Sequence, residues 1–88
     1  MSIRQGIWRV TKYDGVTPVW TRELRARQFT VLQIQNVIQK LACTHLTAEE
    51  VINHVDPDMG TQFLEVRSEG VTTHSCGENP YYIAKHIP

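Results

Sequence analysis

The sixteen residues Thr30 to His45, TVLQIQNVIQKLACTH, decide how the rest of the chain must pack. At 3.6 residues per turn, Val31, Ile34, Val37, Ile38, Leu41, Ala42 and His45 fall on one stripe, the pattern of a helix with a single buried face. Its start is marked. Thr30 stands as N-cap with Gln33 three residues on, so each side chain is placed to satisfy a backbone N–H of the other, and Phe29 is placed to pack back on Ile34. The opposite side carries Gln33, Gln35, Asn36, Gln39 and Thr44, with Lys40 as its one charge and Leu32 and Cys43 among them. Solvated helix faces usually hold more Glu and Lys, and an uncharged amide face costs little to desolvate. Gln35, Asn36 and Gln39 are therefore candidate contacts for another protein or for a second copy of the chain; Asn and Gln also read adenine edges in a major groove.

Upstream, Ile7 to Tyr13 alternates β-formers with polar residues, Asp14-Gly15 supplies a two-residue type I′ turn, and Val16 to Leu24 returns. That turn predicts Val10 opposite Val19, Arg9 opposite Trp20 and Trp8 opposite Thr21. One face then holds Trp8, Val10 and Val19, and the other holds Ile7, Tyr13, Val16 and Trp20 with Arg9 and Arg22. A small sheet covered on one side should not need large aromatics on both. Either Arg9, Tyr13, Trp20 and Arg22 form an exposed aromatic and arginine patch, the mixture enriched at binding hot spots, or Trp20 is covered by a loop, by stacking of Arg9, or by a bulge that turns it inward. Pro18 favours an irregularity, because proline cannot donate to a ladder, and marks this strand as an edge. Arg22 to Arg27, Arg-Glu-Leu-Arg-Ala-Arg, is a charged connector to the helix.

Downstream, Leu46 to Val55 reads as a short second helix, with Thr47 and Glu50 as its capping box, Leu46 stapled to Val51, and Val51, Ile52 and Val55 as its buried side. Glu49 and Glu50 in its first turn repel phosphates, which excludes recognition-helix docking of a helix-turn-helix. Asp56-Pro57-Asp58-Met59-Gly60 is a stop, and its aspartates match no EF-hand spacing. Gln62 to Arg67 alternates as a strand, Ser68-Glu69-Gly70 turns, Val71 to Cys76 forms a polar strand suited to an edge, and Gly77-Glu78-Asn79-Pro80 turns into Tyr81 to Ile87, with Tyr81, Ile83 and Ile87 facing the core. The order ββααβββ predicts an α+β fold: an antiparallel sheet, made of an N-terminal β-hairpin and a C-terminal three-stranded meander, packed on one long and one short helix.

At 88 residues the expected organisation is one small globular domain, 1–88, with a thin core that oligomerisation or a partner would help. With 41% hydrophobic and 20% charged residues it is too apolar for disorder, and no apolar run reaches the roughly 18 residues of a membrane span. A cytoplasmic location follows as an expectation, with two cysteines too few for a disulfide scaffold though enough for one bridge. The net charge of zero hides a division. Residues 1–45 hold seven cations against two acids, net +5, and residues 46–88 hold two against seven, net −5. In one compact domain the halves can interleave; alternatively Arg4, Arg9, Lys12, Arg22, Arg25 and Arg27 grip phosphates with Trp8 or Trp20 as a stacking ring.

Candidates for chemistry are few. Cys43-Thr44-His45 and His74-Ser75-Cys76 give the inventory of a tetrahedral zinc site, but on a continuing helix Cys43 and His45 diverge, and zinc motifs space their ligands by two or more residues. A cysteine nucleophile with His45, His74 or His86 is an unspecific combination, and no glycine-rich phosphate cradle or GxSxG appears. The expectation is a non-enzymatic protein-binding module without a cofactor, self-associating as a homodimer through a helix that can be contacted from both sides. By analogy it suits an accessory or inhibitor protein of the kind phages and mobile elements carry. Nucleic-acid binding is the alternative, and zinc binding a minor one.

Overall fold

A computed structural model describes residues 4–55, 65–78 and 80–88. Strands β1 (Ile7–Asp14) and β2 (Thr17–Arg25) lead through a 3-10 turn, Ala26–Gln28, to helix α1 (Val31–Cys43) and helix α2 (Ala48–Val55). Strands β3 (Val66–Glu69), β4 (Thr73–Gly77) and β5 (Tyr81–Ile87) follow. The hairpin and the meander join into one five-stranded sheet, β2-β1-β5-β4-β3, with antiparallel neighbours throughout. The α+β architecture expected from the sequence is the one observed, with α1 as the main helix packed on the sheet. No helix among the described residues is long and apolar enough to cross a membrane. The expected stop at Asp56–Gly60, the start of the third strand at Gln62, the turn residue Asn79 and the side chain of Val55 lie outside the described residues.

Helix α1 begins as its sequence dictates. Gln33 N–H donates to Thr30 Oγ1 at 3.1 Å and Thr30 N–H donates to Gln33 Oε1 at 2.9 Å. Ile34, Ile38 and Ala42 are buried, and Val31, Val37 and Leu41 flank them half-buried. His45 does not continue the stripe: the helix ends at Cys43, the Thr44 hydroxyl caps Leu41 O at 2.7 Å, and His45 lies beyond that cap with its Nε2 hydrogen-bonded to Tyr82 OH at 2.6 Å. The capping box of α2 also forms, Thr47 N–H to Glu50 Oε1 at 3.1 Å and Glu50 N–H to Thr47 Oγ1 at 3.2 Å. Ile52, expected inside, is exposed, while Val51 and the preceding Leu46 pack against the core.

The hairpin register departs from expectation in two steps. Asp14 pairs with Thr17, so the loop is Gly15-Val16 rather than Asp14-Gly15. Gly15 takes φ 63 while Val16 stays negative, the pattern of a type II′ turn. Moving the turn by one residue preserves which residues share a face. The second step does not: Tyr13 pairs with Pro18 and Lys12 with Trp20, which leaves Val19 as an extra residue in a bulge. Beyond the bulge Val10 faces Arg22, Arg9 faces Glu23 and Trp8 faces Leu24. Trp20 and Arg22 thereby turn to the helix side with Trp8 and Val10.

Three further corrections concern the meander. Ser68 and Glu69 belong to β3, opposite His74 and Thr73, and the turn is Gly70-Val71-Thr72. The polar strand β4 lies inside the sheet, where its alternate residues His74 and Cys76 are buried; the edges are β2, as Pro18 implied, and β3. In β5 the core-facing residues are Tyr82, Ala84 and His86, so Tyr81, Ile83 and Ile87 lie on the face away from the helix. The core is built from Trp8, Val10, Ile34, Ile38, Tyr82 and Ala84 with small residues between.

Candidate partner-binding groove

Along the β2 edge, α1 and the sheet part to leave an open groove of about 390 Å³ lined by Val10, Trp20, Arg22, Leu24, Val37 and Leu41. Each wall has a local cause. The bulge at Val19 presents Trp20 and Arg22 on this side, the alternation of β2 adds Leu24, and the helical period places Val37 and Leu41 together on the flank that faces them. Val10 forms the floor, 1% exposed. Trp20 is half-buried, its ring tilted 53° against Tyr82 at 5.8 Å, and the guanidinium of Arg22 stands 5.9 Å from its centre. An arginine beside an indole ring adds a cation–π attraction and keeps a positive head at the mouth of an apolar wall. Of the six lining residues only Arg22 is charged. Lys12, opposite Trp20 across the ladder, and Lys40, next to Leu41 in the helix, raise the positive potential nearby.

The four residues expected as one aromatic and arginine patch are divided between the two faces. Trp20 and Arg22 line the groove. Arg9 and Tyr13 lie on the opposite face, Arg9 in an ion pair with Glu23 at 3.0 Å and Tyr13 stacked on Tyr81 at 5.2 Å with an interplanar angle of 9°. The register explains the division, since one extra residue exchanges the faces of everything beyond it.

The amide face is also divided. Asn36 is exposed and Gln39 half-buried, but Gln35 turns to the sheet, its Nε2 3.4 Å from Ser68 Oγ and 3.4 Å from His74 Nδ1. His74, 1% exposed, is held at Nδ1 by Ser68 Oγ at 2.6 Å and at Nε2 by Val71 O at 3.0 Å. Because a carbonyl only accepts, Nε2 carries the proton and Nδ1 accepts from Ser68. The cluster ties the β3–β4 hairpin to α1. The sequence signal for this cluster was weak: a helix glutamine and two strand residues look solvated until the register puts Ser68 beside His74.

Similar contacts occupy the two histidines of the minor zinc alternative. His74 uses both ring nitrogens, and His45 is bonded to Tyr82. Cys43 and Cys76 are free thiols, Cys43 half-buried against the core rather than outward. Burial pushes the Cys76 thiol above its ordinary 9.0, and the neighbouring Cys43 adds to the shift while a hydrogen bond with the Gly77 backbone opposes it. Among the described residues no three of His, Cys, Asp and Glu are grouped to hold a metal ion. Of the expected phosphate-binding residues, Arg4 is exposed near Arg27, with its Nη2 donating to Arg27 O at 3.4 Å. Arg9 and Arg25 point to one face of the sheet and Lys12 and Arg22 to the other, so they make no single tract.

The molecule is thus a two-layer α+β domain with an apolar, arginine-rimmed groove at one sheet edge. No family model, no curated protein and no solved structure matches the chain.

Proposed function

We propose that the chain is a small non-enzymatic protein-binding module that seats an apolar side chain of a partner protein in the β2–α1 groove, with Arg22 meeting a carboxylate beside it. The observation that carries this reading is the composition of the groove: five apolar walls, one of them a half-buried tryptophan, and a single cation at the mouth. Buried aromatic and apolar anchors next to an arginine are the combination from which interfaces draw most of their affinity. An acidic residue flanking the partner's anchor satisfies Arg22 and is favoured by Lys12 and Lys40. The cavity is open and shallow, suited to one or two side chains of a segment lying along the edge.

The test is selection of binding segments from a displayed peptide library, followed by titration with tryptophan emission as readout. Trp8 is 0% exposed, so a change on binding reports Trp20. Recovered segments should share an aromatic or aliphatic residue next to Asp or Glu, and both Leu41→Glu and Arg22→Glu should weaken their binding by at least about tenfold. Binding that ignores both substitutions contradicts the proposal.

A further inference from the structure

The second feature of note is the face of the sheet that α1 does not cover. A two-layer fold leaves one side of its sheet open, and here the register arranges that side in four transverse rows. Arg25, Ile7 and Ile87 form the first; Glu23, Arg9, Lys85, Thr73 and Glu69 the second; Thr21, Thr11, Ile83, Ser75 and Arg67 the third; Pro18, Tyr13, Tyr81 and Gly77 the fourth. Ile7, Tyr13, Tyr81, Ile83 and Ile87 are half-buried there, and even Thr11 is screened by its neighbours to 9%.

We infer that this face is where a second copy of the chain docks, related by a two-fold axis that crosses the strands between the second and third rows. The rows are complementary under that operation. The first row of one copy lies over the fourth of the other, which sets Ile7 and Ile87 on the Tyr13 and Tyr81 rings, and the second lies over the third, which sets Glu69 on Arg67 of the second copy and, by symmetry, Arg67 on its Glu69. An isologous contact needs this self-matching, and sheets packing face to face with nearly aligned strands supply the layer that is missing. A polyanion fits the face less well, because Glu23 and Glu69 bound the cationic row and Glu23 already neutralises Arg9. At about 4.8 Å between strands and 3.3 Å per residue the face measures roughly 24 by 23 Å, the scale of a weak interface of under about 1,200 Å² in total. Lys85 lies near its centre over Ile83 of the second copy, and losing its water there keeps the association weak.

Sedimentation velocity of the full chain from roughly 5 to 500 µM tests the inference. The mass should rise from 10.1 kDa toward twice that value. Ser75→Arg, or Thr73→Arg should the first fail to fold by circular dichroism, should raise the dimer dissociation constant at least about tenfold. Lys85→Met should tighten the dimer severalfold, since a desolvated cation gives way to an apolar chain of similar length. Leu41→Glu, in the groove on the other side, should leave it unchanged, which separates this inference from the proposed function. A monomer at every concentration, a dimer indifferent to arginine on this face, or a dimer loosened by Lys85→Met overturns the inference. So does a monomer that binds a single-stranded oligonucleotide through Lys85, which assigns the face to a polyanion.

Discussion

The two flanks of α1 meet the same sheet with opposite chemistry. On one, Gln35 reaches Ser68 and His74, and both ring nitrogens of His74 are hydrogen-bonded. On the other, Val37 and Leu41 face Trp20 and Leu24 across an open groove. Polar groups that satisfy one another close a seam, because any gap would leave a buried donor or acceptor unpaired at a cost of about 1–3 kcal/mol. Apolar walls carry no such penalty, so their seam can stand open until a partner fills it. The helix thus has a structural flank and a candidate binding flank, divided by the Ile34–Ile38–Ala42 line.

Cutting that dividing line should have the largest effect. Ile38→Ala should lower stability by about 2–5 kcal/mol in denaturant unfolding, as expected for a buried aliphatic truncation, whereas Leu41→Ala on the open flank should cost well under half as much. On the closed flank, His74→Ala should cost about 2–3 kcal/mol, because it removes a buried ring and strands Val71 O, and Ser68→Ala about 1 kcal/mol. If Leu41→Ala proves as damaging as Ile38→Ala, the groove is filled in solution and the distinction fails.

Alkaline pH probes the interior between the flanks. Burial raises the Cys76 thiol above 9.0 and the Tyr82 hydroxyl above 10.0, the latter opposed by a hydrogen bond with Thr44. A raised folded-state pKa means that the unfolded chain loses its protons first, so the stability these groups contribute is complete below pH 9.0 and is lost as pH rises through their folded values. Melting temperature should fall as pH rises above 9.0, less steeply in Cys76→Ala. The smallest effect is expected from Arg22→Ala: its side chain reaches into solvent over the Trp20 ring, and stability should change by within about 0.5 kcal/mol while partner binding drops.

How much of this was legible in the sequence depends on the range of the interaction concerned. Helix α1 announces itself, since Thr30 with Gln33 and the apolar stripe are contacts within a few residues. The strands were equally plain as segments. Their pairing was not, because a hairpin register rests on where one turn residue falls and whether a bulge intervenes. Pro18 signalled an irregularity, but nothing local says that the extra residue is Val19, and that single insertion moves Trp20 and Arg22 away from Arg9 and Tyr13. Gln35 was misplaced for a related reason: a helical wheel shows which residues share a flank but not which strand stands opposite. In β5 the pattern Tyr-Tyr-Ile-Ala-Lys-His-Ile is apolar on both faces, and the choice of inner face fell to small Ala84 and hydrogen-bonded His86, which composition alone disfavours.

The face on which the Trp20 indole lies is the pivot of the account, and nuclear Overhauser contacts of its ring protons measure it directly. The structure predicts contacts to the ring of Tyr82, with none to Thr11 or Tyr13. Contacts to Thr11 and Tyr13 instead would return Trp20 to the open face, abolish the groove and contradict the proposed function.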